Sequence, residues 1–399
     1  MINKVSIRAI HYETGKPVRI DIADGIIREI SRTNGSGSLD PDLYVAPGLI
    51  DNQINGYYGV DFSSTELVVD DMLKAILEIQ KDGVTTFHPT ILTNSHENLL
   101  RIFRNHASFI KNKEINDAVP GFHLEGPYLS TEKGFFGCHP EQFLRNPLWK
   151  EFSEYQEAAE GKIRLITMSP ELDGSMDFIK KCVAANVMVS IGHSNASTEQ
   201  INKAVESGAW LSTHLGNGCA NLIDRHHNPI WPQLANDLLT PSVIGDGHHL
   251  LPEELKVFYR VKGPDNLILI SDVTHLIGMP KGKYIYMGSE VVYTDDGLIK
   301  NPVLNVLAGA SFPVRRGIGN MMRSAGCTLG QAVNLATRNV SAAVRLSDRG
   351  ALVPGKRADL MLFEIIDGEV VVKQTWIKGR KVYEACSSLP PLGKKKGGM

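Results

Sequence analysis

The chain has 399 residues and a formal net charge of −2, and 42% of its residues are hydrophobic and 22% charged. This is the composition of an ordinary globular protein, and so small a net charge provides no positive field for nucleic acid. No apolar run approaches the roughly 18 residues that a membrane-spanning helix needs, and the first residues, MINKVSIRAIHYETG, lack the apolar core of a secretion signal. We therefore expect a cytoplasmic protein with neither nucleic acid nor a membrane as partner.

The cysteines are scattered along the chain, and no two of them form a CxxC pair. There are five: Cys138, Cys182, Cys219, Cys327 and Cys386. An odd number at irregular spacing predicts neither a disulfide framework nor a thiolate zinc site, so a reducing compartment is expected.

Both ends of the chain are typical of short β-strands. Residues 1–48 contain KVSIRAIHY and KPVRIDIADGIIREI, with a turn at Asp24-Gly25, and residues 352–388 are broken by turns at Asp367-Gly368 and Lys378-Gly379. We predict that both ends build one small β-sandwich, with the intervening chain as a long insertion. Residues 389–399, rich in Gly and Lys, are expected to be a flexible tail.

Between residues 49 and 351 short apolar runs alternate with amphipathic stretches. The strand candidates are GLIDNQIN, VTTFHPTIL, VPGFHLEGP, IRLITMSPE, VMVSIGHS, WLSTHLGN, SVIGDGHH and LILISDVT, and the clearest helices are ELVVDDMLKAILEIQKDG, STEQINKAVESGA and PEELKVFYRVKG. Alternating strands and helices indicate βα units and a parallel sheet. Eight such units predict an α/β fold of the (β/α)8 TIM-barrel type as the main domain.

Polar residues stand at the C-terminal end of each strand candidate, after its apolar part. They are Gln53, Asn55, His88, His123, Glu125, His193, His214, Asp246, His248, His249 and Asp272. In such barrels the active site is built at the C-terminal ends of the strands, so these groups are predicted to meet on one face.

Glu125, His193 and His214 follow the third, fifth and sixth strand candidates. Two imidazoles and a carboxylate with an open fourth position are a typical catalytic zinc set, although iron, manganese or cobalt also accept these ligands. A single histidine there is more often a hydrogen-bonded residue of a packed barrel mouth. Three such residues at equivalent strand ends favour a divalent metal site.

Asp272 ends the last strand candidate, LILISDVT, and is predicted to face the same site. A carboxylate beside metal-activated water can take a proton during attack and pass it to the leaving amine. The alternative is that Asp272 is the N-cap of a following helix, a position that Asp favours.

Several longer motifs carry a resemblance to a known family. They are LYVAPGLIDNQINGYYGVDFSS, GFHLEGPYLSTEKGFFGCHP, SIGHSNAS, STHLGN, IGDGHH, LISDVT and PGKRADLMLFE. In this order, and over nearly the whole chain, they resemble the N-acetylglucosamine-6-phosphate deacetylases of the amidohydrolase superfamily. PGxID and GKxADL mark the superfamily, whereas QINGxxGVDF, HLEGP with GxHP, and GHS are closer to the deacetylases.

The resemblance implies a homodimer that hydrolyses N-acetylglucosamine 6-phosphate to glucosamine 6-phosphate and acetate. It implies that Glu125, His193 and His214 bind the metal and that Asp272 moves the proton. It places His139 beside the scissile acetyl group and His249 against the sugar or its phosphate; a surface position is the alternative for His139. The full set of expected substrate contacts is His139, Asn217, Gly218, Arg225, His226, His227, His249 and Leu307.

The first strand candidate carries Gln53 and Asn55 where many amidohydrolases have the HxH pair that holds a second metal. Neutral amides are weaker zinc ligands than imidazoles, and some members of the deacetylase family carry the same Q-x-N. We therefore predict one catalytic metal per chain.

The chain departs from the family pattern on the substrate side. HLGNGC replaces the usual HLFNAM, Asn228 stands where an arginine normally follows a histidine pair, and LAGAS replaces LAGS. Because a guanidinium is the best bidentate partner for phosphate, its loss leaves Arg225 and the pair His226 and His227 as candidates.

Three other functions therefore stay open. The first is a deacetylase of an unphosphorylated or otherwise modified N-acyl amino sugar. The second is a cyclic-amide hydrolase of the dihydroorotase or hydantoinase type, which usually needs HxH and two metals. The third is a non-catalytic sugar-binding protein, which would have no need of Asp272 and a full ligand set.

Overall fold

A computed structural model describes residues 4–33 and 43–386, so the predicted tail at 389–399 lies outside the described residues. The strands are β1 (Lys4–His11), β2 (Pro17–Ala23), β3 (Ile26–Arg32), β4 (Tyr44–Pro47), β5 (Leu49–Ile54), β6 (Gly56–Tyr57), β7 (Val60–Asp61), β8 (Val84–Leu92), β9 (Phe122–Glu125), β10 (Ile163–Met168), β11 (Met188–Ile191), β12 (Leu211–Ser212), β13 (Thr240–Ile244), β14 (Ile268–Ile270), β15 (Gly282–Tyr286), β16 (Ser289–Tyr293), β17 (Ile299–Asn301), β18 (Val306–Leu307), β19 (Leu360–Ile366), β20 (Glu369–Ile377) and β21 (Arg380–Glu384). The helices are α1 (Val69–Lys81), α2 (His96–Phe109), α3 (Lys113–Ala118), α4 (Trp149–Ala158), α5 (Ser175–Ala184), α6 (Thr198–Glu206), α7 (Ile230–Ala235), α8 (Pro252–Lys262), α9 (Val314–Ala325), α10 (Leu329–Leu335) and α11 (Arg338–Ala343), with a 3-10 turn at Glu141–Phe143.

Eight strands form the barrel in the order β14-β13-β12-β11-β10-β9-β8-β5. The first and last strands meet through backbone hydrogen bonds, from Asn55 N to Val273 O at 2.8 Å and from Asp272 N to Gln53 O at 3.1 Å. All eight predicted strands are present, and the TIM-type barrel is confirmed. Its strands are buried along their length, β8 at all nine positions, as expected for a parallel sheet that helices cover.

The predicted helices form where amphipathic stretches carry end signals. Helix α6 begins after Ser197, whose side chain accepts a hydrogen bond from Gln200 N while the Gln200 side chain accepts one from Ser197 N. This reciprocal capping box satisfies two donors that the helix leaves free. Helix α8 ends at Gly263, which adopts φ 72°, a conformation that glycine allows at little cost.

Strands from both chain ends form one continuous sheet in the order β21-β20-β19-β4-β1-β2-β3. The two ends meet where β4 pairs with β19, with Pro47 opposite Leu360. The predicted turns at Asp24-Gly25, Asp367-Gly368 and Lys378-Gly379 all have both residues at positive φ, which suits tight hairpins. The separate β domain predicted from both chain ends is thus confirmed, with its strands in a single sheet where a sandwich was predicted, while its exact boundaries, 1–48 and 352–388, stay a prediction.

A four-stranded sheet, β15 to β18, follows the last barrel strand and was not predicted. Its turns at Met287-Gly288 and Asp296-Gly297 are visible in the sequence, but the strands are short and only half buried. The sheet packs over the barrel mouth, and Tyr286, Val306 and Leu307 line the cavity there. In the described part of the chain no helix is both long and apolar enough to cross a bilayer.

Candidate metal and active site

One acid and two histidines converge in the barrel mouth. Glu125 Oε1 lies 3.0 Å from His214 Nε2 and 3.3 Å from His193 Nε2. Glu125 ends β9, and the two histidines follow β11 and β12, so three strands of the barrel aim these side chains at one point. Within the described residues this is the group of histidine, cysteine and acidic side chains whose donor atoms come together closely enough to hold a metal ion.

The spacing of these donors suits a small divalent cation. Ligand bonds of about 2.0–2.1 Å in tetrahedral geometry place neighbouring donors about 3.3 Å apart, which matches the two distances from Glu125. His193 Nδ1 lies 3.1 Å from Phe135 O, and this contact fixes the ring so that Nε2 faces the acid. The residues therefore fit a divalent metal.

Asp272 lies beside this cluster, joined to it by the amide side chain of Gln53. Gln53 Nε2 donates to both Glu125 oxygens at 3.1 and 3.2 Å and to Asp272 Oδ1 at 3.0 Å. Asn55 Nδ2 donates to the same Asp272 Oδ1 at 2.7 Å. The neutral amide of Gln53 thus lies between two carboxylates, and Gln53 and Asn55 together hold one oxygen of Asp272 in place.

We call these six residues the floor of the site: Gln53, Asn55, Glu125, His193, His214 and Asp272. Burial favours the uncharged form of Glu125, but the hydrogen bonds and charges of His193 and His214 outweigh it, so the pKa of Glu125 lies well below its usual value. Burial raises the pKa of Asp272, and the nearby Glu125 charge adds to the rise against the influence of His214. The floor therefore combines a charged ligand carboxylate with a second carboxyl group that holds a proton more readily.

Three floor residues have strained backbones. His193, His214 and Asp272 adopt φ of 50°, 32° and 52°. Non-glycine residues rarely enter this left-handed region, and they persist there only where the surrounding structure enforces it, often at functional sites. The strained turn directly after each strand directs the side chain into the mouth. No residue-type pattern in the sequence reveals this strain.

A cavity of about 390 Å³ opens over the floor. All floor residues except Gln53 line it, and Gln53 reaches the floor through its hydrogen bonds. The other predicted residues that line it are His139, Asn217, Gly218, His249 and Leu307.

His139 is buried against the metal cluster rather than exposed on the surface. Its ring centroid lies 4.5 Å from that of His193, and its Nδ1 lies 2.7 Å from Thr93 Oγ1. Burial, followed by the effect of His193, lowers the pKa of His139 to about 3. The ring is therefore a neutral group at the cavity wall beside the floor.

Asn217, Gly218 and His249 occupy another side of the cavity. Asn217 Nδ2 is buried without a hydrogen-bond partner among the described residues, so it is available to a bound molecule. A side chain at Gly218 would place its Cβ 3.0 Å from His193 Nδ1 and 3.1 Å from His214 Cε1, and the residue has φ 63°, so glycine suits this close approach of the loop to the histidines. His249 Nδ1 lies 2.8 Å from the buried Asp246 Oδ2, which orients the ring.

The structure does not bring Arg225, His226 and His227 to the cavity. All three are exposed on the rim loop, by which we mean residues 216–229, and none lines the cavity. Asn228 is buried, and its Oδ1 accepts hydrogen bonds from Ile230 N at 3.0 Å and Trp231 N at 3.4 Å. Asn228 therefore serves the start of α7 and does not replace an arginine at the cavity.

The capping alternative for Asp272 has no support, because the next described helix, α9, begins only at Val314. Sequence reasoning missed several apolar cavity residues, which are Leu92, Cys138, Tyr286, Met287, Val306 and Ala308. Leu92 ends the strand candidate VTTFHPTIL, and Cys138 lies within the motif that ends in GFFGCHP. Tyr286 and Met287 come from the inserted sheet, which no sequence motif predicted.

The barrel and its cluster of histidines and acid define a metal-dependent hydrolase of the amidohydrolase class. The model of the Amidohydrolase family matches residues 44–382, so the chain belongs to that family. Within it, relatives point to one branch. N-acetylglucosamine-6-phosphate deacetylase from Caenorhabditis elegans is 31% identical over 363 residues, covering 86% of this chain and 83% of that protein. The chain is thus a member of the N-acetylglucosamine-6-phosphate deacetylase family.

Two further comparisons concern the sugar named for each similar protein. The structure of a mutant N-acetyl-D-glucosamine-6-phosphate deacetylase from Mycobacterium smegmatis, in complex with N-acetyl-D-glucosamine-6-phosphate, superposes with a TM-score of 0.86 at 26% identity and covers 95% of this chain and 99% of that one. An N-acetylgalactosamine-6-phosphate deacetylase from Shewanella is 29% identical and covers 92% of both chains. Fold and family are therefore common to proteins that differ in the sugar named.

Proposed function

We propose that this chain hydrolyses N-acetylglucosamine 6-phosphate to glucosamine 6-phosphate and acetate, with one divalent metal ion per chain. The observation that carries the proposal is the buried convergence of Glu125, His193 and His214 beside Asp272, in a member of this family. The substrate is that named for the C. elegans relative and bound in the M. smegmatis structure.

Glu125, His193 and His214 would hold the metal. A divalent ion bound there would acidify a water molecule and polarise the amide carbonyl. Gln53 and Asn55 support a single ion, because their N–H groups already satisfy the oxygens of Glu125 and Asp272 where a second ion would need free ligands. Zinc is the first choice of metal, with iron, manganese and cobalt as alternatives. Two tightly bound ions per chain would instead favour a cyclic-amide hydrolase.

Asp272 is the proposed general base and then general acid. Burial raises its pKa, so it can accept a proton during attack and return it to the amine nitrogen as the C–N bond breaks. Asn55 and Gln53 share one carboxylate oxygen, Oδ1, and leave Oδ2 for proton transfer. His139 lies beside His193, where a neutral imidazole can donate to the developing negative charge on the carbonyl oxygen.

The remaining cavity residues supply polar partners for the sugar. The amide nitrogen of Asn217 has no partner among the residues that the structure describes, and His249 is oriented by Asp246. Gly218 lets the rim loop approach the two ligand histidines, and Leu307 closes the cavity from the inserted sheet.

One observation favours a second candidate, an unphosphorylated N-acyl amino sugar. No lysine or arginine lines the cavity within the described residues, and Arg225, His226 and His227 point elsewhere. A phosphate dianion would then be met by His249 and polar groups of one chain alone, unless a second copy contributes cations.

The test is acetate release from N-acetylglucosamine and N-acetylgalactosamine, each with and without the 6-phosphate, by metal-reconstituted protein. We expect the highest kcat/KM for N-acetylglucosamine 6-phosphate. Equal values with and without phosphate would favour the second candidate, and no acetate from any of the four sugars would overturn both.

A homodimer in the cytoplasm completes the proposal. Two apolar side chains, Leu222 at 92% and Val303 at 86% exposed, lie on the rim loop and the inserted sheet and support contact with a second copy. Light scattering of the purified protein measures the assembly, and a monomer at micromolar concentration would contradict it.

A further inference from the structure

The cavity has two chemically different walls. One consists of Leu92, Cys138, Tyr286 and Ala308, which are 3, 9, 4 and 2% exposed and belong to one hydrophobic cluster. We call these four residues the apolar wall. The rim loop also lines the cavity, and its residues 216–223 are all exposed or only partly buried.

The apolar wall has a firm backing. Leu276, Val291, Tyr293 and Ile299 complete the same cluster, and each is at most 6% exposed. All four belong to the loop after β14 or to the inserted sheet, so that sheet both closes the cavity and supports this wall. A wall packed in this way yields little to a bound group that is too large.

The apolar wall also adjoins the reacting groups. Cys138 directly precedes His139, and Leu92 directly precedes Thr93, whose hydroxyl lies 2.7 Å from His139 Nδ1. Ala308 lies two positions before Ala310, whose N–H donates to Asp272 O at 2.9 Å. A carbonyl held between the metal ligands and Asp272 therefore has this wall at one side.

An N-acyl amino sugar is equally asymmetric about its amide. The acyl tail is apolar and forms no hydrogen bonds, whereas the sugar carries hydroxyl groups that need polar partners when water is removed. Polar partners line the cavity outside the apolar wall, at Asn217 and His249. Matching polarity places the acyl tail against the apolar wall and the sugar towards the rim loop.

We propose that Leu92, Cys138, Tyr286 and Ala308 form the acyl subsite, and that Cys138 sets the length of acyl group the enzyme accepts. This assignment rests on the deacetylase function proposed above. Leu92 and Tyr286 are large members of the supporting cluster, whereas the Cys138 side chain ends in a single sulfur atom at the cavity surface. That sulfur lies 3.8 Å from Leu307 O, and burial raises the pKa of the thiol to about 12, so it stays neutral and packs as a small apolar group.

The test compares kcat/KM for the N-acetyl, N-propionyl and N-butyryl forms of glucosamine 6-phosphate. Cys138→Ala removes the sulfur, and we expect its propionyl-to-acetyl ratio to rise about tenfold over wild type, the usual effect of one methylene group in an apolar pocket. Cys138→Val adds bulk and is expected to lower the same ratio. Metal content and thermal melting of each variant establish that it is folded.

Cys219→Ala is the matched control. Cys219 is also a free cysteine that lines the cavity, but it lies on the rim loop. We expect its propionyl-to-acetyl ratio to equal that of wild type. The acyl subsite would be overturned if both Cys138 variants had the propionyl-to-acetyl ratio of wild type. It would also be overturned if Cys219→Ala changed this ratio as much as the Cys138 variants do. Failure of wild type to hydrolyse any of the three amides would overturn the proposed function itself.

Discussion

The floor of the site and its rim loop differ in almost every physical respect. The floor residues lie at strand ends, are at most 8% exposed and are tied together by hydrogen bonds of 2.7–3.3 Å. The rim loop has no regular structure, and Arg225, His226 and His227 on it are exposed. Under the proposed function, the reacting groups belong to the rigid barrel, whereas the rim loop is a connection that can change without disturbing them.

The largest expected effect comes from removing proton transfer at the floor. Asp272→Asn keeps the size of the side chain and its hydrogen bond from Asn55, but an amide cannot accept the proton. We expect kcat to fall by about 10²–10⁴-fold, with metal content unchanged, as measured by acetate release and elemental analysis. Full activity in Asp272→Asn would mean that another group moves the proton.

A smaller loss of activity is expected when Asp272 loses one of its hydrogen-bond donors. Asn55→Ala removes the donor that lies 2.7 Å from Asp272 Oδ1. Because groups that orient reacting residues commonly contribute about 10–100-fold, we expect a loss in kcat of that size with little change in KM. Asn217→Ala, at the sugar side of the cavity, should raise KM instead. A KM effect alone in Asn55→Ala would argue against a positioning role.

Substitutions on the rim loop are expected to change activity only slightly. Arg225 lies outside the cavity of its own chain, so Arg225→Ala is expected to change kcat/KM by less than about fivefold, the equivalent of 1 kcal/mol. The same assay with N-acetylglucosamine, which lacks the phosphate, is the control. A large loss confined to the phosphorylated sugar would show that Arg225 reaches the phosphate, as it could from a second copy.

The smallest effect on activity is expected at Asn228. Its side chain accepts hydrogen bonds from Ile230 N and Trp231 N at the start of α7, so Asn228→Ala should lower the free energy of unfolding by about 1 kcal/mol. The preference for phosphorylated sugar should not change. Denaturant unfolding measures the change in stability, and steady-state kinetics measures the preference for phosphorylated sugar. Lost phosphate preference at unchanged stability would reverse this assignment.

Sequence patterns predicted the barrel because its strands are buried along their whole length and end in polar residues at equivalent positions. The same pattern predicted that Glu125, His193, His214 and Asp272 meet on one face, and these side chains do converge in the barrel mouth. The inserted sheet was missed because its strands are short and half exposed, so their hydrophobic alternation is weak. The positions of Arg225 and Asn228 were beyond prediction, since a loop conformation depends on contacts that sequence spacing does not encode.

The backbone strain at His193, His214 and Asp272 was equally beyond prediction. Left-handed φ at a non-glycine residue results from the tertiary structure that forces it, and the residue type alone would favour ordinary β geometry. The apolar wall illustrates the same limit, because Leu92, Cys138, Tyr286 and Ala308 come from distant parts of the chain and meet only in the folded molecule.

The most direct test of the central claim is a titration of metal-free protein with zinc while acetate release from N-acetylglucosamine 6-phosphate is followed. Three ligands at one point, with amides in place of further ligands, predict that activity rises from background and reaches its maximum at one equivalent of zinc per chain. Activity that needs two equivalents, or that is undiminished in the metal-free protein, would contradict a single-metal site at Glu125, His193 and His214.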